Sequence, residues 1–243
     1  MHNLDNGTTI VTGGAGLIGS ATIWGLNNQN LENLWLIDWV KPKSIKQRNL
    51  ENLEYRRLID PKLLRKLIKE RSSDLADIKT IIHLGACSST SETNEDYLHD
   101  NNFLYTREIC EWALENNARF VYASSAATYG DGTSGMDDQE ENIERFKPLN
   151  LYGWSKQKFD LFAKKQGWLS EITGLKYFNV YGPNEEHKQN MRSVVSKAFE
   201  EITRTQKMSL FKSHHPNFKD GEQKRDFLYV KDAVHMTLWL TQN

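Results

Sequence analysis

The sequence predicts an α/β fold in which helices cover both faces of a doubly wound parallel sheet. Short apolar or β-branched runs alternate along the chain with amphipathic helical stretches, which is the order expected for repeated βαβ units. The strand-like runs are almost continuously apolar, as expected for strands that are buried on both faces. A glycine-rich turn directly after the first of these runs is typical of the same class of fold.

Five strands and four helices are predicted in the first three quarters of the chain. The strands span residues 8–11, 34–37, 80–84, 120–123 and 175–178. The helices that alternate with them span residues 17–26, 61–70, 94–115 and 152–166. Residues 131–147 are polar, acidic and interrupted by glycines, and this composition predicts a surface loop.

The alternation changes after Gly182. A helix is predicted over residues 191–204, a short strand over 208–211 and a polar loop over 212–224. A strand over 226–230 and a helix over 231–240 close the chain. These residues are therefore expected to form a smaller part that is attached to the main sheet.

The composition excludes several classes of partner. The 31 basic residues nearly balance the 32 acidic ones, so the net charge of −1 gives no electrostatic footprint for nucleic acid or an anionic membrane. No apolar run approaches the roughly 18 residues that a membrane helix needs, and the N-terminus lacks a signal-peptide pattern. Cys87 and Cys110 form no close pair and are interpreted as free thiols. A soluble, cytoplasmic protein is expected.

Residues 12–19 form the glycine-rich turn between the first strand and the first helix. Gly13 permits a tight turn, Gly16 lets a phosphate approach the backbone, and Gly19 lets the helix pack closely on the strand. The backbone N–H groups that open a helix can hold phosphates. Those expected to do so belong to Leu17 and Ile18. The turn therefore predicts a Rossmann-like dinucleotide site.

Asp38 lies at the end of the second predicted strand, where it can accept hydrogen bonds from a ribose 2′-hydroxyl. With its neighbour Trp39 it is a candidate for cofactor binding, and an aspartate here favours NAD. Basic residues follow at once and could neutralise the 2′-phosphate of NADP. They are Lys41, Lys43, Lys46 and Arg48. The choice between NAD and NADP, and between the lysines, stays open at this point.

Tyr152 and Lys156 stand four residues apart at the start of a predicted helix, so both face the same side. A free tyrosine has a pKa of about 10, and a nearby ammonium favours the phenolate that could take a proton from an alcohol. Ser125 follows a strand, where its hydroxyl can bind the substrate oxygen. The end of the preceding strand is expected to line the cofactor. The residues concerned are Leu84, Gly85, Ala86, Cys87 and Ser88.

Through TGGAGLIG, SSAATYG, YGWSK and FNVYGP, the chain resembles the extended short-chain dehydrogenase/reductase family. Longer strings narrow the resemblance to the nucleotide-sugar epimerases of that family that act on an ADP-heptose. These strings are HLGACSST, DNN, YASSAATYG, KPLNLYGWSK, KYFNVYGPNEEHK and KRDFLYV. They are distributed along almost the whole chain, and together they are far more specific than any one motif.

The resemblance implies roles for individual residues. Tyr152 would be one acid/base and Lys156 its partner and cofactor contact, while Ser125 would orient the substrate oxygen. Lys188 would be the second acid/base and would also contact the cofactor. The remaining cofactor contacts that it implies are Asn101 and Val180. The substrate contacts, besides Ser125, are expected to be Asn179, Asn190, Phe211 and Arg225.

The activity implied by the resemblance is epimerisation at C6 of the heptose of ADP-D-glycero-D-manno-heptose, in the synthesis of lipopolysaccharide core precursors. The reaction would pass through transient oxidation and reduction by bound NADP, with NAD possible. Residues 1–182 would form the dinucleotide-binding domain and 183–243 a partial substrate-binding region, because the family's fold continues past the point where this chain stops. A homo-oligomer is also implied.

Three competing interpretations are considered. A UDP-hexose 4-epimerase would share the Ser–Tyr–Lys set, but the strings containing Lys188 and Arg225 argue against it. A nucleotide-sugar 4,6-dehydratase would need an Asp–Glu pair after the strand that carries Ser125, and none stands there. A truncated, non-catalytic NAD(P)-binding protein is the third. No metal site is predicted. The histidines that could suggest one, interpreted as ordinary loop residues, are His187, His214 and His215.

Overall fold

The computed structural model describes residues 1–214, 216 and 218–243. Its core is a six-stranded parallel sheet with the strand order β3-β2-β1-β4-β5-β6. The six strands are β1 (Thr8–Thr12), β2 (Leu34–Ile37), β3 (Arg57–Ile59), β4 (Ile78–His83), β5 (Arg119–Ser125) and β6 (Thr173–Tyr177). The predicted α/β class with a doubly wound parallel sheet is confirmed.

The helices and a second, smaller sheet complete the fold. The α-helices are α1 (Leu17–Asn27), α2 (Ile45–Arg48), α3 (Pro61–Lys69), α4 (Glu95–Leu98), α5 (Tyr105–Glu115), α6 (Leu151–Gln166), α7 (Val194–Thr205) and α8 (Val230–Gln242). The small sheet pairs β7 (Asn179–Tyr181) with β8 (Phe227–Tyr229) in parallel. No described helix combines the length and the apolar character that are needed to cross a bilayer.

Two apolar layers enclose the sheet, because successive side chains of a strand point to opposite faces. In β1, Ile10 packs into the layer that contains α5 and α6, whereas the next residue, Val11, packs into the layer of α1 and α8. Helix α8 reaches α1 through Val234 and Leu238. The last helix thus covers the main sheet, and the division of the chain at residue 182 stays a prediction.

The strand order reverses between β1 and β4, which lie side by side although two strands separate them in the chain. Loops that leave neighbouring strands in opposite directions at such a point open a crevice at the carboxyl ends of the strands, and ligands of open α/β sheets bind there. The sheet therefore places the glycine turn after β1 beside the loop that follows β4.

The predicted strand over residues 208–211 is wrong. Residues 207–214 are irregular, and the Phe211 side chain is 63% exposed. The backbone carbonyl of Phe211 accepts one hydrogen bond from the N–H of Gly221, at 2.8 Å, which forms a loop rather than a ladder. An isolated strand without a partner cannot satisfy its backbone groups, so β-propensity alone does not produce one here.

The predicted helix over residues 94–115 is interrupted. After α4 the chain forms a π-helical segment, His99–Leu104, and then continues as α5. Strands β3 and β7 and the short helix α2 have no counterpart in the sequence prediction. Residues 131–147 are mostly exposed, as predicted, but they include a 3₁₀ helix, Glu140–Arg145, in which Ile143 is buried.

Candidate active site

A cleft of about 510 Å³ lies at the carboxyl ends of β1, β4 and β5, at the point where the strand order reverses. Its volume falls in the range of roughly 300–1,000 Å³ that is typical of small-molecule and cofactor sites. One end is lined by the glycine turn and Asp38, and the other by Ser125, Tyr152 and Lys188.

The glycine turn packs so closely against neighbouring backbone that two of its positions have no room for a side chain. Gly13 has a φ of +66°, and a Cβ there would lie 2.9 Å from the Cα of Gly85. A Cβ on Gly19 would collide with the carbonyl oxygen of Gly13. Helix α1 follows from Gly16 without a side-chain cap, so its first N–H groups are available to phosphate oxygens.

Asp38 is buried at the end of β2 and is held from two sides. The backbone N–H of Ala15 donates to its Oδ2 at 3.0 Å, and Lys46 Nζ donates to its Oδ1 at 2.6 Å. Of the three lysines that the sequence left open, Lys46 lines the cleft, whereas Lys41 and Lys43 do not. The carboxylate that would repel a 2′-phosphate thus has an ammonium directly beside it.

The loop after β4 is clamped by Asn102, which lies in the π-helical segment and is fully buried. Its Oδ1 accepts from the N–H of Cys87 at 2.8 Å, and its Nδ2 donates to the Cys87 carbonyl at 2.9 Å. The same Nδ2 donates to Ser155 Oγ at 2.9 Å. One side chain therefore joins the loop to helix α6, between Tyr152 and Lys156.

A buried, neutral histidine joins two of the elements that surround this loop. His83 contacts Thr12 Oγ1 through Nδ1 at 2.8 Å and Thr106 Oγ1 through Nε2 at 2.9 Å. Complete burial lowers the pKa of His83 to about 3, and the charge of Lys156 acts in the same direction. The uncharged ring ties the end of β1 to α5.

Helix α6 carries the Tyr–Lys pair into the cleft. Asn150 caps the helix, with its Oδ1 accepting from the N–H of Gly153 at 2.8 Å. A Cβ on Gly153 would lie 2.9 Å from the carbonyl oxygen of Ala127, so this glycine lets the helix start close to the turn after Ser125. The predicted proximity of Tyr152 to Ser125 follows from this close approach.

Lys156 is only 5% exposed, and its Nζ donates to the carbonyl oxygen of Ala123 at 2.7 Å. Burial lowers its pKa to about 8, and the charge of Asp160 opposes this shift. Burial also raises the pKa of Tyr152, which the side chain of Ser125 opposes. The phenol of Tyr152 is therefore neutral at pH 7 in these surroundings.

Lys188 lines the cleft from a short 3₁₀ segment, Glu186–Met191, which follows β7 in the chain. The buried carboxylate of Glu185 closes this loop by accepting from the N–H of Gly182 at 3.0 Å and from Ser193 Oγ at 2.8 Å. Burial lowers the pKa of Lys188, and Glu185 opposes the shift. The second proposed acid/base is thus held in a loop that is anchored at both ends.

The sequence prediction gave His187 no functional role, although the string that suggested Lys188 includes it. Its Nδ1 lies 3.0 Å from the carbonyl oxygen of Asn184 and 3.2 Å from Asn49 Nδ2, and its ring lines the cleft. Burial lowers its pKa, and the charges of Lys46 and Lys188 act in the same direction. His187 therefore joins the loop that carries Lys188 to Asn49, which follows α2.

Most residues predicted for the site line this one cleft. They are Gly13, Gly16, Leu17, Ile18, Gly19, Asp38, Trp39, Leu84, Gly85, Ala86, Cys87, Ser88, Asn101, Ser125, Tyr152, Lys156, Val180 and Lys188. Further lining residues lacked a motif in the sequence, among them Pro61, Tyr97, Tyr105 and Met191. Only the folded arrangement of the chain shows that these residues belong together.

Four of the residues predicted to contact substrate do not line the cleft. Asn179 Nδ2 donates to the carbonyl oxygen of Asp226 at 2.9 Å, and Arg225 Nη1 donates to that of its neighbour Lys224 at 2.7 Å. The other two, Asn190 and Phe211, are exposed. Asn179 begins β7 and Asn190 lies in a 3₁₀ segment, whereas Phe211 and Arg225 lie in irregular backbone. Spacing along the sequence does not encode which of these side chains reach the cleft.

The part of the chain that the structure describes contains no group of three or more residues arranged to hold a metal ion. His187 takes part in the hydrogen bonds given above, and His214 is exposed. His215 lies outside the described residues.

Comparison with known proteins places the cleft in context. The family model described as "NAD dependent epimerase/dehydratase family" matches residues 9–243. A protein of Nitratidesulfovibrio vulgaris named ADP-L-glycero-D-manno-heptose-6-epimerase is 48% identical over 235 residues, which is 96% of this chain and 72% of that relative. A relative of the same name from Fusobacterium nucleatum is 44% identical over 238 residues, covering 96% of this chain and 71% of its own length.

A solved structure is similar over almost the whole chain. The crystal structure of Helicobacter pylori ADP-L-glycero-D-manno-heptose-6-epimerase aligns with a TM-score of 0.80 and 28% sequence identity. The alignment covers 98% of this chain and 74% of that one.

Proposed function

The chain belongs to the NAD dependent epimerase/dehydratase family, and on this premise we propose that it is an ADP-L-glycero-D-manno-heptose 6-epimerase. The observation that carries the proposal is that Ser125, Tyr152 and Lys188, from three separate elements, line one cleft together with the glycine turn. The names of the similar proteins supply the substrate, ADP-heptose, and the position of inversion, C6.

Family membership gives a nicotinamide dinucleotide as the cofactor, and we propose NADP rather than NAD. The support is the contact of 2.6 Å between Lys46 Nζ and Asp38 Oδ1, because a paired carboxylate repels a 2′-phosphate less than a free one. The half-buried ring of His187 lies on the same side, close enough for Lys46 to lower its pKa. An anion in this region would meet Lys46 and His187 together.

A bound nicotinamide supplies reversible oxidation and reduction at one substrate carbon, so the residues around it need only bind, orient and move protons. Lys156 holds its ammonium at the carbonyl oxygen of Ala123 on β5, and Ser125 orients the substrate oxygen. Tyr152 exchanges a proton with that oxygen through its phenol. Lys188, from another element, does the same for the other epimer.

The protonation states of Tyr152 and Lys156 are consistent with these roles. Tyr152 is neutral because burial raises its pKa, so it holds a proton before substrate binds. Lys156 has a pKa of about 8 and is largely charged at pH 7. A cation beside Tyr152 favours its phenolate, so binding of a positively charged ring lowers the tyrosine pKa toward the working pH.

The proposal includes the setting of the enzyme. It would act in the cytoplasm on a precursor of the lipopolysaccharide core, as a homo-oligomer and without nucleic-acid or membrane partners. The proposed substrate contacts that lie outside the cleft are Asn179, Asn190, Phe211 and Arg225. For these side chains to contact the substrate, the exposed segment that carries Phe211 and Arg225 has to approach the cleft when substrate binds.

A paired assay tests the proposal against the nearest alternative. The protein and NADP are incubated with ADP-D-glycero-D-manno-heptose in one reaction and with UDP-glucose in another, and the sugar products are separated by chromatography. We expect conversion of the heptose only. Conversion of UDP-glucose to its 4-epimer without action on the heptose would identify a UDP-hexose 4-epimerase, and binding of NADP without any product would identify a non-catalytic binding protein.

A further inference from the structure

A buried carboxylate lies one helical turn beyond the Tyr–Lys pair and outside the cleft. Tyr152, Lys156 and Asp160 are spaced by four residues along α6, so they share one face of the helix. Asp160 is 2% exposed, and it does not line the cleft. A buried charge is costly unless it is paired and hydrogen-bonded, so its surroundings need an explanation.

The Asp160 carboxylate is bound from three sides. Tyr122 Oη donates to its Oδ1 at 2.9 Å, and Ser124 Oγ donates to its Oδ2 at 2.7 Å. Lys176 Nζ, on a side chain that is only partly buried, donates to Oδ2 at 2.7 Å. Helix α6 is thereby joined to both β5 and β6 directly behind the active site.

The network continues to the residue that is proposed to orient substrate. Lys176 Nζ also donates to Thr128 Oγ1 at 2.8 Å, and Thr128 Oγ1 donates to the carbonyl oxygen of Ser125 at 2.8 Å. The Lys176 ammonium lies 5.3 Å from the ring centroid of Tyr129, which adds a favourable cation–π contact. A chain of hydrogen bonds thus runs from Asp160 to the backbone of Ser125.

We propose that Asp160, with Lys176 as its counter-ion, is a positioning residue that holds the end of β5 in place and keeps the buried ammonium of Lys156 charged. The role in catalysis rests on the proposed function, whereas the effect on Lys156 does not. A carboxylate one turn away on the same helix stabilises a cation in a site from which water is largely excluded.

Among the titratable groups around Lys156, Asp160 is the one that most favours the charged form of the lysine. From β4, His83 is neutral because its pKa is about 3, and from β5 the phenol of Tyr122 is neutral because burial and Asp160 raise its pKa. Cys87, in the loop after β4, could favour the charged form of Lys156 only as a thiolate, and its influence is smaller than that of Asp160. From β6, Lys176 is paired with Asp160.

The proposal is tested by titrating Lys156 with NMR in protein labelled with ¹⁵N- and ¹³C-lysine, in which the Lys156 signal is assigned from its loss in K156R. Substitution D160N keeps the shape of the side chain and removes its charge, and D160E keeps the charge. We expect D160N to lower the pKa of Lys156 by about half a unit to one unit. D160E should leave it close to the wild-type value.

The control is E144Q, which removes the exposed carboxylate that contacts Lys164 Nζ of the same helix at 3.1 Å. It should leave the titration of Lys156 unchanged. If Lys156 titrates in D160N as it does in the wild-type protein, the proposal is wrong. This measurement needs no turnover, so a failure of the proposed activity is seen separately, in the wild-type enzyme.

A second variant covers the case in which D160N does not fold, since D160N leaves the partly buried Lys176 ammonium without its counter-ion. In D160N/K176M both charges are gone, and replacement of a complete ion pair is often tolerated. The pKa of Lys156 should fall by less than in D160N, because a cation is lost together with the carboxylate, and a value that is unchanged or raised contradicts the proposal. In active enzyme, the alkaline limb of the kcat–pH profile should move down by the same amount, whereas a purely structural role would scale kcat without moving that limb.

Discussion

Tyr152 and Lys188 reach the same cleft from different directions, one at the start of α6 and one in a loop closed by Glu185. An epimerase must exchange a proton with the same oxygen in two stereochemical settings. The two proposed acid/base groups, fixed on independent elements, would meet this need, because neither has to move with the other.

The separate roles of these two residues predict a pattern among variants. Y152F and K188M should each lower kcat by about 10²–10⁴-fold, as is typical for loss of a general acid/base, and each should retain one half-reaction. The double variant should retain none. Single-turnover ¹³C NMR of the substrate, which detects a C6 ketone, separates the two cases.

The matched control for K188M is K69M, which replaces an exposed lysine at the end of α3, far from the cleft. It should have the activity of the wild-type enzyme. An equal loss in K69M and K188M would argue against a specific role for Lys188.

Lys46 is the residue on which the proposed preference for NADP depends. Substitution K46M leaves Asp38 unpaired beside the expected 2′-phosphate, so we expect affinity for NADP to fall about tenfold or more while affinity for NAD changes little. Calorimetric titration with each dinucleotide gives both values. K41M and K43M, on the same stretch of chain but away from the cleft, should bind both as the wild-type protein does, and an unchanged NADP affinity in K46M would contradict the preference.

At the scale of elements, the strands that are buried on both faces were the easiest part of the fold to predict. Ile81 and Ile82 of β4 point into opposite apolar layers, and such a run leaves a clear signal in the sequence. Strand β3 has three residues, begins with Arg57 and lies at the edge of the sheet, so its pattern is too short and too polar to recognise. The wrongly predicted strand at 208–211 has suitable residues but no partner strand.

The interruption of the helix between residues 94 and 115 was not predictable from periodicity, since an extra residue per turn changes the pattern only locally. Its consequence is specific: the widened turn carries Asn102, whose amide bridges the loop after β4 and α6. π-Helical segments are rare and are often found at functional sites. The DNN string indicated this position, but not its geometry.

Removal of this bridge should weaken the whole molecule. N102A leaves the N–H and carbonyl of Cys87 without their partner and removes one of the two hydrogen bonds of the Ser155 hydroxyl, so the free energy of unfolding should fall by about 2–3 kcal/mol. Urea denaturation measures it. N116A, which removes a single bond from Asn116 Nδ2 to the Trp112 carbonyl at the end of α5, should cost less than about 1 kcal/mol. Equal losses in the two variants would show that the bridge has no special importance.

At the scale of the molecule, the reversal of strand order is what brings the site together. It sets the glycine turn after β1 beside the loop after β4, and the carboxyl end of β5 adds Ser125 next to them. Motifs therefore predicted residues that the structure brings together in this cleft, at the glycine turn and at the Tyr–Lys pair. Residues such as Tyr97 and Met191 reach the cleft only through packing between distant segments, which no local sequence pattern predicts.

The central claim is that this one cleft inverts C6 of an ADP-heptose by oxidation and reduction without net exchange of the carbon-bound hydrogen. The most direct test follows ADP-D-glycero-D-manno-heptose by proton NMR in D₂O with the 243-residue chain and NADP. The account predicts appearance of the L-glycero epimer with its C6 proton retained, because the hydrogen removed from C6 is returned to the same carbon. Absence of the epimer, or an epimer that carries deuterium at C6, would contradict it.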